Sequence, residues 1–387
     1  KSWASITDAI VRDNGSPSQK IMAPMGFGGE RVMAKMTPEQ LAALQQHDKP
    51  AFAFDNAEIN AFFERALPHG YTLETNGFAA HPGFFQAPHR RDIDGNADVV
   101  MVGCPLDLGA IGLAGARHGP EAIRAASRHF GPINDALGSI PFEQCSVIDY
   151  GDVEWSCTDL TTRVTSDIAQ VFEAIGRQGC LSLSCGGEHT TTYGVLKGLA
   201  TAYGDSFGLL HIDAHCDTMS TWGGDEINDG SVFRRAVLDG FIDPERCIQI
   251  GIRGRAGFLW EFSHDVGMTV ITADEVHEKG CEYISDRCRE VIGSDRSYLS
   301  LDIDSLDSSV MMGTTGPEPF GLTARQVRHL IHGARGLNLV GADLVELNPN
   351  RDPSGSCAHL AAALFFELLS VLTDIKGADA TSGVTDW

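Results

Sequence analysis

From Ala97 onward the hydrophobic positions fall into short runs separated by longer amphipathic stretches. The runs are "ADVVMVG", "CLSLSCGG", "FGLLHIDA", "RCIQIGIRG", "TVITADE", "SYLSLDIDSLD" and "LNLVGADLVELN". Each is rich in Val, Ile and Leu and bounded by Gly, Asp or Asn, the pattern of a strand buried on both faces. Between them lie helix-like segments: "GPEAIRAASRHF", "DLTTRVTSDIAQVFEAIGRQG", "TARQVRHLIHGARG" and, last, "SGSCAHLAAALFFELLSVL". Strands alternating with helices predict an α/β fold, a mostly parallel sheet covered on both faces.

Residues 1–96 read differently. Gly and Pro breaks ("APMGFGGE", "HPGFFQAPH") surround two predicted helices. "TPEQLAALQQ" opens with Thr37 as N-cap, Pro38 at the first helical position and Gln40 completing a capping box. "DNAEINAFFERAL" carries apolar residues at helical spacing. With too few strands for a core of its own, this segment is expected to wrap the core or a neighbouring subunit. The organisation predicted is thus an extension (1–96), a catalytic domain (97–375) and a polar tail (376–387).

Composition narrows the class. No uninterrupted apolar run reaches a membrane span, and the first residues lack a basic-then-apolar leader pattern, so a cytoplasmic protein is expected. The ten cysteines sit in apolar contexts without a CxxC pair and read as buried thiols. With 52 acidic against 29 basic residues the net charge is −23, which argues against nucleic acid and anionic membrane as partners.

Chemistry concentrates at strand ends, where parallel sheets bind ligands. "LSLSCGG" runs into Glu188 and His189, and "LLHIDA" into Asp213, His215 and Asp217. "YLSLDID" ends with Asp302 and Asp304, and "GADLVELNP" with Glu346. Positions two apart on an extended chain share a face, so each group is expected to converge while Cys216 turns away. One such group alone is usually a polar cap. Three strands delivering ligand-type residues to one edge point to metal. Two histidines and four aspartates exceed the needs of one ion with an open position and suit two divalent ions. An oxygen-rich set favours Mn²⁺ or Ni²⁺ over Zn²⁺. Hydroxide held between two such ions is a nucleophile at neutral pH, so the chemistry expected is hydrolysis.

"GGEHTTTYG", "HIDAHCDT" and "SLDIDSLD" resemble the three signature motifs of the ureohydrolase family of arginases, agmatinases and guanidine hydrolases. "VMVGCPLDLGAIGLAGARHGPEAIRAAS", "IQIGIRG", "TTGPEPFGL" and "ADLVELNP" are similar to further landmarks of that family, over about residues 97–373. The resemblance implies a three-layer α/β/α sandwich and a dinuclear centre. His189, Asp213, His215, Asp217, Asp302 and Asp304 would be its ligands, with Asp213 and Asp302 bridging. It further implies that Asp217 passes a proton to the departing amine and that Glu346 pairs with the substrate guanidinium. Trimers or hexamers, of one chain or of an active chain with a degenerate partner, are also implied. Two positions depart from the family pattern. Glu188 replaces the usual Asp before the ligand His, and in "NDGSVFRRA" Asp229 stands where a proton-shuttling His is usual. Asp229 is expected to contact a second N–H-rich part of the substrate, or else to cap a turn. The long N-terminal extension resembles the nickel-dependent guanidine hydrolase branch, and Asp229 bears on the choice of substrate. A small guanidine or biguanide cation such as guanidine or metformin is the expected substrate. Nickel is favoured and manganese the alternative. Agmatine is the alternative substrate.

Overall fold

A computed structural model describes residues 37–46, positions 57 and 61, and residues 83–254 and 257–382. The chain divides into two compact units, residues 1–75 and 76–387. In the first unit, helix α1 (Pro38–Gln45) has the predicted capping box. Thr37 Oγ1 accepts from the Gln40 amide at 3.2 Å, and Gln40 Oε1 accepts from the Thr37 amide at 2.9 Å. None of its residues is buried. Most of the second predicted helix lies outside the described residues.

The second unit is built on eight strands: β1 (Val99–Cys104), β2 (Val147–Asp152), β3 (Leu181–Gly186), β4 (Phe207–Ile212), β5 (Ile242–Ile252), β6 (Thr269–Thr272), β7 (Arg296–Asp302) and β8 (Asn338–Val345). Every pairing is parallel, and the order across the sheet is β2-β1-β3-β8-β7-β4-β5-β6. Seven of these strands correspond to the runs read from sequence. The run "TVITADE" yields only four strand residues, since Thr272 caps a helix that starts at Ala273. The strand not foreseen is β2, "VIDYGD", at the sheet edge. Only its first half is buried, so it lacks a continuous apolar run.

Alternation along the strands feeds two cores, which makes the sandwich three-layered. Val99, Met101, Leu210, Leu299 and Leu344 join one cluster with helices α2 (Gly119–Ser127), α6 (Cys281–Ile292), α7 (Ala324–Gly333) and α8 (Ser356–Ser382). Val100, Val102, Leu209, Tyr298 and Val340 join the other with helices α3 (Ala169–Arg177), α4 (Thr190–Tyr203) and α5 (Val232–Leu238). Each wholly buried side chain, such as Phe172 or Phe365, contributes roughly 1.5–3 kcal/mol. Helix α8 is long and apolar enough by composition to cross a bilayer, but most of that stretch is buried in the core.

Three features add to the sequence reading. Residues 83–96, the last part of the expected extension, pack on the sheet unit. There the Phe84 amide donates to Asp149 Oδ2 at 2.9 Å and the Phe84 ring meets that of Phe365. Helix α8 continues to Ser382, into the expected tail. The segment "DLTTRVTSDIAQVFEAIGRQG" is helical but contains a π turn at Arg163–Ile168. Helix α4 packs backbone to backbone against this segment. A Cβ on Gly198 would stand 2.3 Å from the Ala169 carbonyl oxygen, so only glycine permits the approach. That packing seats α4, whose N-cap is His189.

Candidate metal centre and substrate pocket

The sheet order explains how residues far apart in sequence meet. β3, β8, β7 and β4 are consecutive neighbours, and their carboxyl ends carry His189, Glu346, Asp302 with Asp304, and Asp213 with His215 and Asp217. His189 Nδ1 lies 2.8 Å from Asp217 Oδ2, 3.3 Å from Asp302 Oδ2 and 3.4 Å from Asp213 Oδ2. His215 Nδ1 lies 3.1 Å from Asp304 Oδ2 and 3.6 Å from Asp213 Oδ1. Asp213 faces both imidazoles. All six sequence-predicted ligands therefore converge.

They do not converge by strand alternation. β4 ends at Ile212, so Asp213, His215 and Asp217 follow it on a bent segment, and Asp217 takes a φ of 51°. Asp302 closes β7, while Asp304 belongs to a single 3₁₀ turn, Ile303–Ser305. Glu346, next after β8, has a φ of 68°. Left-handed conformations at non-glycine residues cost on the order of 1–3 kcal/mol each and cluster at functional sites. The bend also leaves buried Cys216 on the pocket wall, against expectation.

A metal pair is tested by the hydrogen bonds around the imidazoles. His189 Nε2 lies 2.9 Å from Ser300 Oγ, which donates to Asp343 Oδ1 at 2.7 Å. Since the Ser300 proton goes to the carboxylate, His189 donates from Nε2, and in the neutral ring Nδ1 keeps a bare lone pair. That atom is buried and has no hydrogen bond. A lone pair aimed at three carboxylate oxygens is repulsive unless a metal ion or a proton sits between them, and against its burial the same carboxylates hold His189 well above the ordinary imidazole range. The same groups include two sets, His189–His211–Asp213 and Asp213–His215–Asp304, compact enough to hold an ion. His211, which sequence reading passed over, is better described as an orienting group. Gln249 Nε2 donates both to the Cys216 carbonyl (2.6 Å) and to His211 Nδ1 (3.0 Å). His211 Nε2 then donates to Asp213 Oδ2 at 2.7 Å and fixes that carboxylate.

Electrostatics point the same way. Burial, reinforced by neighbouring carboxylates, raises Asp302 and Glu346 well above the ordinary carboxyl range and Asp217 to about 7. Burial raises Asp304 as well. Asp213 is the exception: against its burial, the histidines around it hold it well below the usual value. So many buried acids stay ionised together only beside a comparable positive charge, and divalent cations supply it.

The centre opens into a cavity of about 330 Å³. Asp217, Asp229, Asp302, Asp304, Glu318 and Glu346 line it, and among its described lining residues there is no Lys or Arg. Ile111, Met219, Leu259 and Trp260 form an apolar wall. Glu346 Oε1 accepts from the His189 amide at 2.7 Å, whereas Oε2 is buried and unpaired. Asp229 faces the cavity and also caps the loop: its oxygens accept from the Ile111 and Gly230 amides at 3.0 and 2.8 Å. Both readings of Asp229 are thus present in one geometry. Glu188 is wholly buried and spends its oxygens on Gly109 N, Thr190 N and Thr190 Oγ1. Burial and nearby Asp229 push it up to about 8. Glu318, 3.6 Å from His215 Nε2, was not singled out from sequence. Its segment "TTGPEPFGL" carried no ligand spacing.

Residues 97–370 match the model of the arginase family. The chain belongs to the arginase family. A mitochondrial guanidino acid hydrolase of Homo sapiens is 39% identical over 280 residues, covering 72% of this chain and 79% of the relative. A mitochondrial agmatinase of Gallus gallus is 40% identical over 281 residues, covering 72% and 82%. A solved structure described as a hypothetical agmatinase from Burkholderia thailandensis superposes with a TM-score of 0.72 at 36% identity, covering 79% of this chain and 93% of that one. The arginase-like α/β fold expected from sequence is therefore the fold of these relatives. This family member is a hydrolase acting on C–N bonds of linear amidines.

Proposed function

We propose that this chain hydrolyses a C–N bond of a small guanidine-type cation at two divalent metal ions. The observation that carries the reading is the pocket wall, which presents six carboxylates and, among its described residues, no basic side chain. His189, Asp213, Asp217 and Asp302 would hold one ion, and Asp213, His215, Asp302 and Asp304 the other, with Asp213 and Asp302 shared. Such a pair supplies Lewis acidity and lowers the pKa of water in the pocket. The oxygen-rich set suits manganese or nickel; nickel is favoured on the resemblance to the nickel-dependent branch, with manganese as the alternative. Glu346, with an unpaired buried oxygen, holds a guanidinium by paired charged hydrogen bonds and orients its carbon. Asp217 moves a proton to the departing amine. Asp229 contacts a further N–H group, which favours free guanidine, substituted guanidines or a biguanide such as metformin.

The second reading is agmatinase, supported by the 40% identical avian enzyme of that name. Agmatine is also a carboxylate-free cation and would enter the same wall. A guanidino acid fits it less well, since its carboxylate would meet acids and an apolar wall among the described lining residues. The assembly proposed is a trimer or hexamer, homomeric or with a degenerate partner, with the N-terminal segment at subunit contacts. Light scattering of a chain lacking residues 1–75 checks this, the expected result being a lower mass.

The deciding experiment is turnover of guanidine, dimethylguanidine, metformin, agmatine, arginine and guanidinobutyrate, each with nickel and with manganese. A carboxylate-free cation should lead. Preference for guanidinobutyrate overturns the reading. Arg255 lies outside the described residues, so Arg255→Ala serves as the control for a basic clamp: it should leave the ranking unchanged.

A further inference from the structure

The guanidinium of Arg253 is committed almost wholly to main-chain oxygens from three separate segments. At the end of its own strand, Nη1 donates to the Gly251 carbonyl at 3.1 Å. On the turn carrying Asp304 it reaches Ser305 O from Nη1 at 3.3 Å, and Asp304 O and Leu306 O from Nη2 at 2.9 and 3.1 Å. On the pocket loop, Nη2 donates to Glu318 O at 2.9 Å and Nε to Pro319 O at 2.9 Å. Six carbonyls thus share five N–H donors, a fan that only a planar guanidinium spans. The loop is shaped to admit it. A Cβ on Gly321 would stand 2.4 Å from Arg253 Nη2.

These two clamped segments supply two of the three acids around one imidazole, the third being Asp213. Asp304 lies 3.1 Å from His215 Nδ1, and Glu318 lies 3.6 Å from His215 Nε2. By contrast, none of the hydrogen bonds described for His189 involves either segment. Its ring is held by Ser300 and Asp343 from inside the sheet.

We propose that Arg253 is a positioning residue that ties the Asp304 turn to the Glu318 loop, and so holds the His215 half of the metal centre in register with the substrate pocket. The inference rests on the metal pair proposed above. Without the clamp, Asp304 and Glu318 move independently, while the His189 half keeps its own supports. Outer-shell partners of this kind typically tune metal affinity by about 10–100-fold.

The test is Arg253→Lys in the full chain, which keeps the charge but cannot fan to six carbonyls. Arg253→Gln is the second variant, removing the charge and most of the donor fan while leaving the loop glycine Gly321 in place. Nickel or manganese titration by calorimetry counts the ions and their affinities, and thermal melts of the metal-free protein report folding. Wild type should bind two ions per chain; fewer overturns the metal-pair reading itself. Both variants should keep one tight ion and bind the second at least tenfold more weakly, with KM raised more than kcat is lowered. Two ions bound as in wild type, or equal weakening of both, overturns the role of Arg253. Should Arg253→Lys fail to fold, Arg253→Gln decides alone.

Discussion

Two buried groups of carboxylates sit in this molecule, and they behave in opposite ways. Beside the edge strand, Asp149 is 1% exposed, yet every requirement is met. Arg124 Nε donates to it at 3.1 Å, and the amides of Phe84 and Gly151 donate at 2.9 and 2.7 Å. At the carboxyl ends of the central strands, Asp302 and Glu346 are buried to a similar degree and Asp217 nearly so, but no Lys or Arg among the described residues pairs with them. Their carboxyls are pushed upward by burial and by one another. The first group is a structural ion pair. The second is a set of acids assembled for cations that come from outside the chain. Unfinished electrostatics, rather than acid content, distinguishes a site from a scaffold.

The largest effect should come from removing a shared ligand. Asp213→Ala and Asp302→Ala are expected to abolish turnover and most bound metal, measured by elemental analysis and assay, while the metal-free fold persists because a source of repulsion has gone. Retention of full metal and turnover in either variant would end the assignment. The counterpart on the other side is Asp149→Ala, which takes away the buried partner of Arg124 and leaves it only the more exposed Asp152. It should cost about 3 kcal/mol in denaturant unfolding while metal stoichiometry stays unchanged. Equal stability losses at Asp149 and Asp302 would erase the contrast.

A pH series sharpens the same comparison. In the metal-free protein Asp217 titrates near 7, above its unfolded value of 3.8, so the folded state binds more protons between those limits. Stability should therefore be highest at low pH on this account and fall as pH rises from about 4 to about 7. Saturating divalent metal should flatten or reverse that slope, read as melting temperature against pH with and without chelator. A slope indifferent to metal would contradict it. The smallest effect is expected at Asp229. Asp229→Asn keeps the shape and removes a half-buried charge worth about 1 kcal/mol, so KM for a biguanide should rise several-fold with kcat little changed. An unchanged KM for every cation tested makes Asp229 a turn residue only.

The ligand types were legible because strand ends next to Gly-Gly or Asp-x-Asp spacing announce themselves. The reason offered for their convergence was wrong. Alternation requires an extended chain, and the chain bends after Ile212 and turns at Ile303–Ser305. Edge strand β2 escaped notice because a half-exposed strand does not need a continuous apolar run. The orienting groups His211, Gln249, Ser300 and Asp343 were also unmarked. They lie inside strands, where sequence reading sees only a polar interruption.

By itself the sequence determined an α/β chain of parallel strands, the acid-and-imidazole chemistry at four strand ends, and a capped helix at Pro38–Gln45. These rest on local periodicity, caps and motif spacing. Only the tertiary structure decided that β3, β8, β7 and β4 are neighbours, that Glu318 joins the pocket, and that Arg253 binds two loops together. Strand order and loop register are set by how two hydrophobic faces bury against their helices, a property of the whole packed sheet that no short stretch of residues encodes.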